Sequence, residues 1–573
     1  MNTGTAVPHT GSVLLRKNLA SLVVTVAVIA IVGWISSQWF FRIDLTTDKR
    51  YTLHDKTKHI LKNLDIDVYI QVFLDGEMPV GFKRMQNAVR DMLTEFQAYA
   101  GRHLTYKFTN PSDDNPAARQ KIYNELYRKG LRPTDVQAKD KEGGTSSKIL
   151  FPGALVNVND QEMAVNFLNN NPTLPASVNL NHSIEGIEYN LILPVHNLTT
   201  DTIFKVAFTE GHGELPEPEV EDIQKELARF YTIDRGVIGG KPGILDNYAA
   251  VIIAKPSKPF SEADKFVLDQ YLMHGGKILW LLDRVAIDAD SLMYASFTFG
   301  LPQDLNLDDL LFKYGVRINP SLIQDVRCSM IPVNTAIRGN APHYVPAPWL
   351  YYPLLEPQNH PVSRNLNLVQ GRFVNPLDTV SGNGSIRKEI LLTTSDYSRI
   401  LGAPLMVNLE EIRTPPKQEA FNAPHIPVAA LVEGTFESAF KNRMPEAVVP
   451  GYQGKIKKES VPTRMIVVAD GDIIRNDVRM SGDKVVALPL GQDRITQQTY
   501  GNKDFIVNAV NYLVDDQGLL DLRSREFKLR LLDRTKILQQ RTRWQIINSL
   551  GPLVIILLLG FLIRIGRRKK YAG

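Results

Sequence analysis

The stretch from Trp544 to Lys570 constrains this chain more than any other. A mostly apolar run reaches from Trp544 to Ile563, and Arg564, Arg567, Arg568, Lys569 and Lys570 follow it. About twenty residues of apolar helix are enough to cross a hydrocarbon core of roughly 30 Å. Asn548, Ser549 and Pro552 stand at its start, where a helix entering a bilayer tolerates polar groups and a fixed φ. A buried core helix is also apolar, but such helices seldom end in a run of cations. Lys and Arg resist translocation, so this flank predicts a cytoplasmic C-terminus.

Residues 19–35 form a matching apolar run that extends to Phe41 through Trp34 and Trp39. A cleaved leader would have a shorter apolar core and an A-x-A-like site behind it, so this run reads as a retained helix. Its flanking charges, Arg16 and Lys17 before and Arg42, Lys49 and Arg50 after, leave its orientation to the C-terminal cluster. The expectation is a two-pass protein with both tails (1–18 and 566–573) cytoplasmic. Its membrane helices fall at 19–41 and 544–565, and the bulk of the chain lies outside the cytoplasm. With 44% hydrophobic and 22% charged residues, that bulk is globular. The net charge of +5 sits near the chain ends, which is not a nucleic-acid footprint. A single cysteine, Cys328, excludes a disulfide framework, a CxxC pair and a cysteine-rich zinc site. An extracytoplasmic chain of this kind suits a bacterial periplasm and an inner-membrane anchor.

After the first apolar run comes Arg42-Ile43-Asp44-Leu45-Thr46-Thr47-Asp48-Lys49-Arg50-Tyr51-Thr52-Leu53. Thr52 and Asp55 form a capping signal for a short helix to about residue 61. The segment resembles the R-x-D-L-T-x-x-K-R-Y-T-L marker of the GldG family, gliding-motility-associated accessory subunits of bacterial ABC transporters. The similarity runs nearly end to end. It implies a non-catalytic accessory subunit beside a multi-spanning permease and a separate ATPase, with a second copy of the chain in the complex.

Residues 67–74 alternate and are rich in β-branched and aromatic side chains, which predicts a strand. Between residues 82 and 100, Met85, Val89, Met92, Leu93, Phe96 and Tyr99 make one helical stripe. A strand at 104–108, a helix at 117–129, and a hairpin of 149–158 with 162–167 turning at Asn159-Asp160 complete the pattern. That βαβ–α–ββ order is the order of a thioredoxin-like domain, here 42–182. It holds no cysteine, so the fold serves as a scaffold. Gly143, Gly144, Thr145, Ser146 and Ser147 read as a flexible loop, without the Gly-Lys-Ser/Thr ending of a phosphate cradle.

A connecting helix at 183–200 leads to the clearest pattern in the chain. Continuous apolar strands at 204–209, 249–254 and 277–282 alternate with amphipathic helices at 219–230 and 261–273, with a further strand at 231–235. This predicts a parallel sheet covered on both faces. The strand at 464–469 and the helix at 503–513 are expected to complete it. The α/β domain is then split into 201–300 and 463–521. Ligands bind at the carboxyl ends of such strands, which singles out Glu210, Gly211, His212, Gly213 and Glu214, with Asp283 beyond the third strand. The resembled family carries a G-H-G-E turn here in a domain similar to class I glutamine amidotransferases, of the flavodoxin-like type. Those enzymes need a cysteine on a G-x-C-x-G elbow, and Cys328 has no flanking glycine. Three potential ligands in five residues also fall short of a metal site, since alternate residues of a turn rarely converge on one ion. A tight turn tied down by its own carboxylates is the plainer reading.

Residues 301–462 accumulate prolines and read as a loop-rich insertion. Tyr344, Trp349, Tyr351 and Tyr352 either form a recognition surface or pack that subdomain. Asp470-Gly471-Asp472 reads as a turn in preference to a Mg²⁺ site. A charged helix at 522–543 feeds the last apolar run. Three functions stay open: a non-catalytic ABC accessory subunit without cofactor, catalytic residue or nucleic-acid partner; an anchored receptor for a small solute such as a sugar, using Glu210 to Glu214; and a hydrolase, which the missing elbow opposes.

Overall fold

The computed structural model describes residues 10–38, 52–112, 115–139, 145–168, 171, 174–200, 203–334, 343–380, 385–443, 448–449, 454–515, 518–524 and 534–571. Most of the GldG-like marker, residues 42–51, lies outside this set, as do 141–144 and 525–533. The chain divides into residues 1–52 and 53–573. In the first unit the described structure is one helix, α1 (Thr10–Gln38). Its apolar stretch, Ala20–Trp34, is shorter than the usual crossing length. One described helix rather than two is therefore long and apolar enough to span a bilayer, and it lies at the other end of the chain.

The second unit opens with α2 (Asp55–Lys62), capped by His54, whose Nδ1 accepts from the Lys56 amide at 3.2 Å. The cap is thus two residues later than Thr52. A four-stranded sheet follows, built from β1 (Val68–Val72), β2 (Leu104–Phe108), β5 (Gly153–Val158) and β6 (Gln161–Asn166) in the order β2-β1-β5-β6. β1 and β2 run parallel because α3 (Val80–Ala100) crosses over between them, while β5 is antiparallel to both β1 and β6. The predicted α3 stripe is the buried one: Met85, Val89, Leu93 and Phe96 are all at 0% exposure. After α4 (Pro116–Arg128), β3 (Thr134–Lys139) and β4 (Thr145–Leu150) form a separate hairpin. Residues 145–150 therefore belong to a strand of their own, and only 153–158 pair with 161–166. Their turn falls at Asn159, which takes a positive φ of 51°.

The expected connecting helix is two helices broken at Gly186, α5 (Ala176–Glu185) and α6 (Ile187–Thr199). It also does more than connect. Leu191, Ile192 and Val195 of α6 are fully buried in one apolar cluster that runs from Leu53 to Leu522. Leu191→Ala is expected to cost about 2–5 kcal/mol, the range for emptying a buried leucine site. Detergent-solubilised protein unfolded in denaturant would show this, and a loss below ~1 kcal/mol would reduce α6 to a linker.

The larger sheet starts with β7 (Lys205–Glu210), α7 (Glu217–Leu227), β8 (Thr232–Val237), β9 (Ala250–Ala254), α8 (Glu262–Met273) and β10 (Ile278–Leu281). Ser261 caps α8, its Oγ accepting from the Asp264 amide at 3.1 Å. Short pieces follow: β11 (Val285–Ala286), α9 (Ser291–Ala295), β12 (Phe297–Pro302), α10 (Asp308–Lys313), β13 (Val316–Ile318) and β14 (Ser321–Asp325). Then come β15 (Cys328–Asn334), β16 (Tyr344–Pro357), β17 (Val369–Gln370), β18 (Leu377–Thr379) and β19 (Ile386–Thr393). β20 (Ser398–Gly402), β21 (Leu405–Asn408), β22 (Pro427–Gly434) and β23 (Thr463–Val468) complete the path, followed by the hairpin β24 (Val478–Ser481) with β25 (Lys484–Ala487) and by α11 (Asn502–Val514).

Nine strands lie in the order β15-β16-β19-β22-β23-β10-β9-β7-β8, with β17 paired to β16 as the tenth. β8, β7, β9, β10 and β23 are mutually parallel. Alternate residues supply two cores, as a strand buried on both faces must. Phe208, Ile252, Leu279 and Ile466 face α7 and α11, while Ile253, Trp280, Met465 and Val467 face α8 and α10. The sheet is nevertheless mixed rather than parallel throughout, because β22, β19, β16 and β15 extend it antiparallel.

Those extra strands correct the reading of 301–462 as loop-rich. β16 is fourteen residues long and holds four prolines. Proline lacks the amide a ladder needs, but Pro346 lies opposite Pro332, a position where neither residue is asked to donate. Burial alternates along the rest of β16. Trp349 and Tyr351 are 1% and 0% exposed in a core with Phe373 and Val407. They are packing residues and offer no contact surface. Tyr344 is 61% exposed and Tyr352 half-buried, beneath the Arg372 guanidinium.

α12 (Arg534–Tyr571) is one continuous helix. Within it Gln540–Gly566 has mean hydropathy 2.5 and buries none of its apolar window. Its 27 residues span about 40 Å.

Candidate functional site

Loops from all five parallel strands contribute to two networks at their carboxyl edge. β7 ends at Glu210, and the chain turns through Gly211 and Gly213 at φ of 111° and 72°. A side chain at Gly213 would put Cβ within 2.1 Å of Ser257 Oγ, so the glycine is sterically required. The turn drives the His212 ring inward, flat against Phe260 with ring centres 3.7 Å apart. Its Nδ1 lies 3.3 Å from Glu214 Oε1 and its Nε2 3.2 Å from Asp264 Oδ2. Ser261 Oγ and the Gly240 amide donate to Asp264 at 2.6 and 2.7 Å. The His212 carbonyl accepts from the amides of Ser257 and Lys258, both at 2.8 Å. One histidine thus fastens together the loops after β7, β8 and β9 and the first turn of α8.

Two carboxylates facing the two ring nitrogens favour the imidazolium. Burial opposes that charge, but the hydrogen bonds and charges of Glu214 and Asp264 outweigh it and hold His212 above the ordinary histidine value. Burial likewise opposes the Glu214 carboxylate, and the His212 bond outweighs it, holding Glu214 below its usual range. A histidine raised in the fold contributes stability that is complete below about pH 6.5 and is lost as pH rises through the folded value. The lowered Glu214 contributes stability above its unfolded value that is lost as pH falls through its folded one. The unfolding midpoint is therefore expected to decline as pH climbs from about 6.5, and His212→Gln to flatten that decline. The same slope in the variant would locate the pH dependence elsewhere.

A second network lies at the ends of β9, β10 and β23. Lys255, at a positive φ of 53°, reaches between Asp283 (3.2 Å) and Asp472, with which it makes a short ion pair. Asp283 accepts from the Gly471 amide at 2.6 Å, and Asp470 from the amides of Asp472 and Arg372 at 2.7 and 2.8 Å. Arg372 pairs with Asp477 at 3.0 Å and Arg475 with Glu219 at 2.8 Å. Burial raises Asp283, and it raises Asp470 well above the carboxylate range, with Asp472 and Asp283 adding to the latter. Burial works against the Lys255 ammonium too, but Asp283 and Asp472 hold it firmly protonated.

The structure does not gather the sequence-predicted residues into one pocket. Glu210 pairs with Arg235 at 2.8 Å, His212 and Glu214 are buried together, and Asp283 faces Lys255. Asp470-Gly471-Asp472 is a turn, and an ammonium stands where a cation between Asp283 and Asp472 would. Among the described residues no group of three or more His, Cys, Asp and Glu side chains is placed to hold a metal ion. Sequence reasoning missed Lys255, Asp264 and Arg372. One signal was there: Lys255, Asp283 and Asp470 each follow an apolar run at the same end of neighbouring strands. Cys328 opens the edge strand β15, where burial and Asp325 push its thiol up to about 11, away from nucleophilic use.

The α/β module so described coincides with a known family. Residues 204–509, more than half of the 573-residue chain, match the ABC-type uncharacterized transport system family, an auxiliary family. The chain belongs to that family. Within this ABC-type family chain, residues 47–157 also match a domain of unknown function, over β1, β2 and nearly all of β5 but not β6. No curated protein matches the sequence. Among solved structures the mmIFT52 N-terminal domain aligns with 54% of this chain and 97% of its own, at 14% identity and a TM-score of 0.31. That likeness is too loose to carry an argument.

Proposed function

We propose that this chain is a non-catalytic accessory subunit of a bacterial ABC transport system, of the GldG type. Two copies hold their folded modules on the periplasmic side of the inner membrane, beside a multi-spanning permease and its ATPase. The observation that carries this reading is the family match over the very module whose carboxyl edge is tied up by its own side chains. Lys255 and His212 hold the loops that an enzyme of this architecture would leave open for substrate. The order β2-β1-β5-β6 supports a thioredoxin-like scaffold at the front, and the five parallel strands an amidotransferase-like one behind. Glu210, His212 and Glu214 are each bonded within the protein, which counts against a solute receptor at that loop.

α12 supports one crossing by length and composition, and α1 is proposed as the second. Purification from native membranes is expected to bring down a permease and an ATPase, identified by mass spectrometry, and recovery of neither overturns the reading. In a Cys328→Ser background, an impermeant thiol reagent on intact spheroplasts is expected to label Lys107→Cys and to spare Gly573→Cys. Labelling of Gly573→Cys would reverse the topology.

A further inference from the structure

At the amino end of β23, on the sheet edge opposite Lys255, the chain forms a half-open cleft of about 620 Å³. That volume lies within the usual range for small-molecule sites, roughly 300–1,000 Å³. Four lysines line it, Lys313, Lys388, Lys441 and Lys458, against two glutamates, Glu437 and Glu459. Glu437 is shared by Lys313 and Lys441, which hold it down to about 2, so two ammonium groups divide one carboxylate. Lys388 donates to the Val380 carbonyl, and among the described residues no carboxylate pairs with it. Lys458 is exposed.

The cleft wall is built from beneath. Asp269 of α8 is fully buried and accepts from Ser438 Oγ, the Ala439 amide and Tyr314 Oη at 2.7, 2.8 and 2.9 Å. Those bonds fix the turn that carries Glu437 and Lys441. Gly315, at φ of 93°, lets the Lys388 stem lie against the backbone, since a Cβ there would meet Lys388 Cε at 2.5 Å. Uncancelled ammonium groups facing one concave space draw an anion of matching charge.

We propose that this cleft binds a small anion with two or more negative charges, carried on phosphate or on carboxylate groups. The inference stands apart from the transport reading and needs no partner subunit. The test is calorimetric titration of the full chain in detergent at about 0.15 M salt, where long-range surface attraction is largely screened. The probes are inorganic pyrophosphate and citrate. One saturable site is expected for at least one of them: pyrophosphate alone assigns a phosphate ligand, citrate alone a carboxylate one, and both a site that reads charge. Lys388→Gln/Lys458→Gln is expected to weaken binding about tenfold or more, and Lys458→Glu, a change at an exposed position, to do so without risk to the fold. Lys107→Gln/Lys225→Gln, which removes equal charge elsewhere, is expected to leave it unchanged. Failure of both probes to saturate at millimolar concentration overturns the proposal, as does equal weakening in the control variant.

Discussion

Lys255→Met is expected to lower the unfolding free energy by about 3 kcal/mol, the lower end of the range for stripping one partner from a buried ion pair. The lower end applies because 27% of the Lys255 side chain still reaches solvent. What makes the change severe is what stays behind. Asp283, Asp470 and Asp472 remain buried at the ends of two adjacent strands with their common cation gone. At 1.4 kcal/mol per tenfold, ~3 kcal/mol is more than a hundredfold in the folding equilibrium. Denaturant titration of solubilised protein measures it, and a loss under ~1 kcal/mol would mean that Lys255 behaves as a surface ion. Lys255→Met/Asp283→Asn is expected to recover part of the loss by removing a stranded charge. Acidification should narrow the deficit as well. Asp283 and Asp470 are raised in the fold, and a carboxyl raised above its unfolded value favours folding only at pH low enough to protonate it.

On the accessory-subunit reading proposed above, a flexible Gly-Ser-Gly-Ser insertion after Gln540 is expected to abolish the transport-dependent phenotype of the host while the proposed complex still assembles and hydrolyses ATP. The reason is the continuity of α12, a helix of 38 residues and so about 57 Å long. Trp544 Nε1 donates to Gln540 Oε1 at 3.2 Å, so the helix is regular where the apolar span begins. A rigid rod through that boundary can carry displacement, and a four-residue flexible break cannot. Glu-Ala-Ala-Lys at the same point keeps the helix, adding about 6 Å and some 40° of rotation, and is expected to impair the phenotype less. Normal function with the flexible insertion would leave α12 as a tether.

What the sequence disclosed, and what it hid, follows from how each element is stabilised. β9 and β10 were legible because both their faces are buried, which leaves an unbroken apolar run, and α8 because Ser261 caps it and Gly275 stops it. β16 was hidden by its prolines, which single-residue preferences assign to loops. Its pairing depends on Pro332 opposite Pro346, a fact of register that no local window contains. The hairpin β3–β4 was hidden by polar, weakly alternating residues. Of the site, the turn at Gly211 and Gly213 was visible in its glycines. The partners of His212 and Asp283 were not, because Asp264 is 52 residues away from His212 and Lys255 joins Asp283 only once the strands lie side by side. The charged helix expected at 522–543 falls partly outside the described residues; its first residues form a short 3₁₀ turn and it is helical again from Arg534.

Kinship and cooperativity divide this molecule at different places. The two family matches stop at residue 157 and resume at 204, as though two inherited pieces had been joined by a spacer. The spacer holds α6, whose Leu191, Ile192 and Val195 belong to a single apolar interior reaching from Leu53 to Leu522. A gene trimmed to either match would keep its ancestry and lose the wall of its own core. Residues 204–509 expressed alone should therefore come out aggregated or partly ordered, although they are the longer of the two stretches that kinship recognises. For this chain the smallest heritable unit and the smallest foldable one are different objects.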